Sequence, residues 1–363
     1  MKKSILTLFL IVSFVFSYAQ KSNVSKAKNK VLMENPDFAG ARELIQQALN
    51  DSTTKNDPTT WYVAGLIGYQ ENDYWYKKML LNQNYDPDAK GQAILESYNY
   101  FKKAADLDQL PNEKGKVKPK YLKDIKTKMK EYYSLQPNLI AYGAYLYEKK
   151  DYPGALKVFE TYLEIPTLPY MQNEIKIDTT YNMIKYFAAI SATSAGIHDK
   201  AIKLYEDLKD DNYETLSVYQ LLAQEYQNVN DTVNYIATLK EGFEKFPAEP
   251  WFLQNIINHY IYTGQIEEAL KYLDAAIEKE PNVAQYHFVK GNLEENLGNI
   301  EEAKKAFNKA LELDPNFADA YAGIGRLYYN QAVKMMEAAN EIKDIKLYNA
   351  ERDKINNIFK EAI

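Results

Sequence analysis

The sequence predicts an all-α fold, an α-solenoid in which short helix–turn–helix units stack one on the next. Three observations predict it. Residues 284–317 read as two amphipathic helices joined by a tight turn, the same pattern returns every 34 residues, and glycine and proline fall where helices should stop.

In the first helix of 284–317, His287, Lys290, Gly291 and Glu294 share one face. The turn Leu297-Gly298-Asn299 offers a glycine for the left-handed conformation that ends a helix. The second helix aligns Ala303, Phe307 and Ala310, and Pro315 stops it. Gly291 and Ala303 let the helices approach closely, with Phe307 filling the space between them. One period earlier stand Leu253, Tyr260, Gly264, Ala269, Leu273, Ala276 and Pro281. Before those come Tyr219, Leu222, Ala223, Tyr226, Leu239, Gly242 and Pro247. Earlier again are Ala188, Ala189, Gly196, Ala201, Tyr205 and Leu208, with Tyr213 where a proline would close the unit. One period later are Tyr321, Ile324, Gly325 and Tyr328. Units therefore start in register at Asn182, Leu216, Pro250, Ala284 and Ala318.

These positions resemble the tetratricopeptide repeat. Gly291, Gly298, Ala303, Phe307, Ala310 and Pro315 fall on its signature, whereas His287 and Glu294 depart from it. The resemblance implies a right-handed superhelix whose first helices line a concave, partner-binding face.

Met1-Lys2-Lys3, the apolar run from Ile5 to Phe16, and Ser17-Tyr18-Ala19 read as a secretory signal peptide (1–19) cleaved after Ala19. Residues 20–181 read as irregular units with insertions at about 70–92, at the lysine-rich 113–130 and at 167–181. The first of these units, 22–57, turns at Asn35-Pro36-Asp37 and continues with Ala41, Ile45 and Ala48. The second opens at Pro58, with Trp61, Ala64, Gly65 and Gly68 on one helix and Ser97, Phe101 and Ala104 on its partner. The insertion between them holds Tyr74-Trp75-Tyr76 and Asp86-Pro87-Asp88. A third begins near Gln136 and carries Tyr142, Gly143, Leu146, Ala155, Phe159 and Tyr162. Residues 182–317 form four regular units. The final unit, 318–363, has an elongated first helix running on through Gln331 to Ile342, and no closing proline or cap at Ile363, so the natural chain is expected to continue. The inserted second unit and the lysine-rich linker are similar to those of exported tetratricopeptide proteins of Gram-negative envelopes.

With a net charge of −6, the chain is a poor candidate for general nucleic-acid binding. The absence of cysteine excludes disulfides, thiol chemistry and a lipid-bearing cysteine. Tyrosine, at 32 residues against 14 Phe, falls largely where the repeat needs a bulky ring between helices. The three histidines, His198, His259 and His287, lie far apart in sequence and phase, and there is no phosphate loop or nucleophile motif. The acidic pairs Glu267-Glu268, Glu294-Glu295 and Glu301-Glu302 suit helix starts and exposed faces. No catalysis, cofactor or metal is expected.

The outward positions of successive first helices form a ladder: Tyr186 and Ile190; Gln220, Gln224, Gln227 and Asn228; Gln254, Asn258 and Tyr262; Phe288, Asn292 and Asn296; Arg326, Tyr329 and Asn330. Amides both donate and accept, which suits the backbone of an extended peptide, and aromatics between them suit apolar side chains. The two-lysine, two-asparagine clamp for a terminal carboxylate is not recognisable here. Lys114, Lys116, Lys118, Lys120 and Lys123 stand either as a solvated face or as a patch for an anionic partner. The expectation is a non-catalytic scaffold or adaptor of the periplasm (alternatively, secreted) that binds protein or peptide partners of the cell envelope, without nucleic acid or a transmembrane segment and with membrane association only through its partners. Its place would be as an accessory subunit of an outer-membrane or secretion assembly. The alternatives are a holdase chaperone and a cell-wall or glycan binder using Trp75 and the lysines.

Overall fold

The computed structural model describes residues 20–112, 114–135 and 138–361. The expected signal peptide and the last two residues lie outside them. All regular structure among the described residues is helical. The chain divides into two compact units, up to Val218 and from Tyr219 onward.

In the first unit, α1 (20–31) and α2 (Phe38–Asn50) pack through Val24, Ala27, Val31, Ala41, Ile45 and Ala48. They are followed by α3 (Pro58–Leu80) and α4 (Pro87–Asp108), which pack along one another. Asp57 and Asp86 accept from the first backbone amides of these two helices, and Pro58 and Pro87 occupy first-turn positions that need no amide hydrogen. The residues beyond the regular repeat length are therefore absorbed as extra helical turns, with Tyr74-Trp75-Tyr76 inside α3. The helices approach closely because the glycines leave room: Gly65 meets the Phe101 ring and Gly68 the Ala93 carbonyl.

Next come α5 (Leu122–Lys130), which runs into a π turn over Glu131–Leu135, α6 (Asn138–Glu148) and α7 (Tyr152–Glu164), where Gly143 seats the Phe159 ring. The segment after α7 folds back onto the unit. Leu168, Tyr170 and Met171 are buried, and Glu174 forms ion pairs with Lys126 and Lys130. The unit closes with α8 (Thr179–Ser194) and α9 (His198–Leu208).

α10 (Thr215–Asn228) contains the division between the units. The second unit continues with α11 (Thr232–Lys245), α12 (Pro250–Tyr262), α13 (Ile266–Lys279), α14 (Ala284–Asn296), α15 (Ile300–Leu313), α16 (Ala318–Ala339) and α17 (Ile345–Glu361). From α11 on, consecutive helices pack in pairs and each pair packs on the next. This is the helix-pair stacking of a tetratricopeptide-type α-solenoid. Phe307 shows how the stacking closes: it is fully buried, and its ring lies where a Cβ on Gly291 would stand 2.5 Å away and one on Gly323 2.8 Å away. One ring thus fills the gap between its own unit and the next.

The 34-residue period is written in the backbone. Gly196, Gly264 and Gly298 have φ of +70°, +72° and +81°. Asn230, at the same phase, has φ +58°; asparagine is among the few other residues that tolerate this region. At each of these turns the next residue's amide reaches back to a carbonyl five positions earlier: Ile197 to Ala192, Asp231 to Tyr226, Gln265 to Tyr260 and Asn299 to Glu294, at 2.7–2.9 Å.

One buried charge strains the first unit. Lys90 on α4 is 8% exposed; its Nζ donates to Asn138 Oδ1, and Asn138 Nδ2 donates to Asn72 Oδ1 at 3.2 Å. Burial lowers the Lys90 pKa to about 8. Below that value the folded and unfolded chains both carry the proton, so the desolvation cost is fully present. Above about 8 the unfolded chain binds more protons than the folded one, and stability rises until the ordinary lysine value is passed. Lys90→Met is therefore expected to be the more stable protein at pH 7, by up to about 3 kcal/mol. Urea denaturation of both proteins should show this difference shrinking between pH 8 and 10. A difference that does not change with pH would exclude the buried charge as its source.

Candidate functional site

A concavity of the second unit runs across its first helices. Between α12 and α14 lies a groove of about 510 Å³, with a floor of Leu253, Ile257, Leu273, Val289 and Leu293 and with Ile261 and Tyr286 beside them. Its rim carries the amides Gln254, Asn258, Gln285, Asn292 and Asn296. Among the described residues, Gln254, Asn258, Gln285 and Asn296 make no side-chain hydrogen bond within the protein. Leu253, Ile257, Leu273 and Leu293 of the floor are buried against neighbouring helices, and Val289 is half-buried.

Asn292 and Asn296 also line a neighbouring concavity of about 720 Å³ between α14 and α16, with Glu295, Arg326, Asn330, Lys334 and Glu337. This part is charged, with side chains of both signs. Arg326 is already engaged: Nε donates to Glu295 Oε1 at 3.0 Å, and Nη2 donates to Glu295 Oε2 at 2.7 Å and Asn292 Oδ1 at 3.0 Å. It braces α16 against α14 and presents at most one edge of its guanidinium to a partner.

The aromatic members of the predicted ladder lie elsewhere. The Phe288 ring packs on Phe307 and Phe317, at centroid distances of 5.9 and 5.1 Å, so it belongs to the core. Tyr329 is edge-on to Phe359 of α17. Tyr262, 92% exposed, stands outside the groove. Tyr262, Phe288 and Tyr329 line neither concavity, whereas Ile257, Ile261, Gln285, Tyr286 and Val289, which the helix phase did not single out, line the first. The four-residue step from Val289 to Leu293 was the sequence signal available for Val289.

On α10, Gln224, Gln227 and Asn228 are exposed and Gln220 is half-buried; none lines either concavity. Tyr186 and Ile190 belong to the first unit, both half-buried, with Tyr186 edge-on to Phe187 and Tyr213.

His287 Nε2 is 2.8 Å from the Pro281 carbonyl, and His259 packs on Tyr235 and Tyr260, with burial lowering its pKa. No three potential metal-ligating side chains converge among the described residues, and no helix among them is long and apolar enough to cross a membrane. Trp75 is half-buried, edge-on to Tyr74 with Lys78 over its ring, so its indole is not laid open as a platform for a sugar.

Residues 200–346 match the family model described as N-terminal acetyltransferase A, auxiliary subunit. Among solved structures, the chain is similar to MamA, at 18% identity over 50% of this chain and 89% of that one, with a TM-score of 0.34. It is also similar to YrrB, described as a TPR protein with an unusual peptide-binding site, at 17% identity over 54% and 95%, TM-score 0.34. A TPR repeats protein from Bacteroides fragilis matches at 21% identity over 62% and 87%, TM-score 0.32. No curated protein matches.

Proposed function

We propose that this chain is a non-catalytic interaction scaffold whose second unit holds an extended peptide segment of a partner protein in the groove over α12, α14 and α16. The observation that carries this reading is the pairing of an aliphatic floor with a rim of amides, of which Gln254, Asn258, Gln285 and Asn296 are uncommitted. Floor and rim suit different parts of one ligand: the floor takes an apolar side chain, and the amides pair with the backbone on either side. The match of residues 200–346 to an auxiliary subunit family agrees with a holding role. The leader-like N-terminus favours work in the periplasm, as an accessory subunit of an outer-membrane or secretion assembly of a Gram-negative cell.

The test is an affinity pull-down of the protein from an envelope fraction, beside the variant Gln254→Ala/Asn258→Ala/Asn292→Ala. A stoichiometric partner, weakened at least tenfold in the variant, is the expected result. A partner retained at full strength would remove the groove from the account. A smear of unrelated unfolded proteins would identify a holdase instead, and capture by isolated cell wall would identify a glycan binder.

A further inference from the structure

The lysine-rich segment is not used by the groove, and its eight lysines divide sharply. Lys126 pairs with Glu174 at 2.9 Å, Lys130 pairs with the same carboxylate, and Lys128 reaches Asp124 at 3.3 Å and lies over the Tyr69 ring. Those three are structural. Lys114, Lys116, Lys118, Lys120 and Lys123 are exposed, and none closes an ion pair among the described residues, although Asp57 and Asp108 lie near enough to Lys120 to favour its charge. Lys120 lies over the Tyr121 ring.

The described residues of the loop that presents them are tied together by hydrogen bonds. Asn112 closes its tip: its amide donates to the Lys116 carbonyl at 3.0 Å, and its Oδ1 accepts from the amides of Lys114 and Lys116. Gly115, with φ +71°, makes the reversal, and no atom lies within 4 Å of where its Cβ would be. At the base, the buried Asp108 carboxylate accepts from the amides of Lys120, Tyr121 and Leu122 at 2.7–2.9 Å. Two large apolar side chains sit among the lysines in water, Val117 at 52% and Leu110 at 60% exposure. Both are more than half exposed among the described residues, yet the residues beside them are held by buried and backbone bonds.

We infer that this loop docks on an anionic lipid surface, lysines over the headgroups and Val117 with Leu110 dipping into the interface. The combination selects this occupant. A soluble polyanion or an acidic protein tail would use the lysines alone and gain nothing from exposed valine and leucine. A membrane interface takes both, adding apolar burial to electrostatic attraction. The charge contrast supports it as well: the chain as a whole carries −6, so this cationic loop is the part an anionic surface would attract and the remainder would be repelled.

The experiment is co-flotation of the chain from Gln20 onward, lacking the apolar leader, with two kinds of vesicle: phosphatidylcholine alone, and phosphatidylcholine with phosphatidylglycerol. Binding is expected only to the second, weakening as salt is raised. Lys114→Gln/Lys116→Gln/Lys118→Gln should weaken it about a hundredfold, at about fivefold per lysine. Val117→Ser should weaken it several-fold while leaving the salt dependence unchanged. All of these changes are at exposed positions, so an unchanged melting curve is expected and checks that folding is intact. Three results would overturn the inference: equal binding to both vesicle types, indifference to the lysine changes, or binding to soluble polyphosphate as tight as to vesicles with no effect of Val117→Ser. The last would make the loop a site for soluble polyanions.

Discussion

Phe307→Ala is expected to destabilise the second unit by about 3–5 kcal/mol. The ring is fully buried and is shared by three helices: α15 supplies it, and α14 and α16 receive it at Gly291 and Gly323. Both receiving positions lack a side chain that could move into the space, so the cavity cannot collapse by rotamer changes alone. The loss combines the transfer free energy of the ring with the cost of the hole it leaves. Because units in a solenoid stabilise one another through nearest-neighbour interfaces, the damage falls on two units at once. Urea denaturation followed by circular dichroism should show the change as a lower midpoint for part of the signal. A loss below about 1 kcal/mol would mean the aromatic is not the joint between the units.

Gly68→Ala is the second large effect, and its sign is less obvious. Alanine is the better helix former by about 1 kcal/mol, so propensity alone predicts a more stable protein. Here the new Cβ would stand 2.5 Å from the Ala93 carbonyl oxygen and 3.1 Å from the Ser97 amide nitrogen. Both are backbone atoms of a helix packed along α3, so neither can swing aside, and the two helices must separate. Overpacking of this kind typically costs about 1–3 kcal/mol, which outweighs the propensity gain. A lowered melting temperature is therefore expected; a raised one would show that α3 and α4 slide apart freely.

The fold was legible because its signals are local and repeated. Gly264, Gly298, Pro281 and Pro315 each act within a few residues of themselves, and a fixed period multiplies a weak signal into a strong one. The turn at Asn230 was not singled out, since asparagine only tolerates the left-handed region that glycine occupies readily. The insertion at about 70–92 was readable as extra length but not as shape: the aromatic run Tyr74-Trp75-Tyr76 hides the helical periodicity that carries α3 to Leu80. The segment after α7 likewise gave no sign that Met171 would be buried and Glu174 pinned by two lysines.

The site was legible in part. Gln254, Asn258, Asn292 and Asn296 line the concavities, because positions four residues apart keep their phase along a helix. Phe288 left the groove for a physical reason. A large ring goes to the deepest available volume, and that volume is set by small residues on a neighbouring helix, which a single helix's pattern does not reveal. Phe288 found it beside Phe307 and Phe317. The ion pair of Arg326 with Glu295 joins residues 31 apart in sequence, and only the stacking of one unit on the next brings them together.

The central claim is that the α12–α14 groove holds the partner, and site-specific photo-crosslinking tests it most directly. A benzophenone amino acid at Gln285 lies on the groove rim; one at Lys309 lies on α15, outside both concavities. In an envelope extract, the probe at Gln285 is predicted to give one discrete adduct, and the probe at Lys309 none. The adduct should disappear when Asn258 and Asn292 are changed to alanine. A discrete adduct from Lys309 with none from Gln285 would place the partner on the second helices and contradict the account.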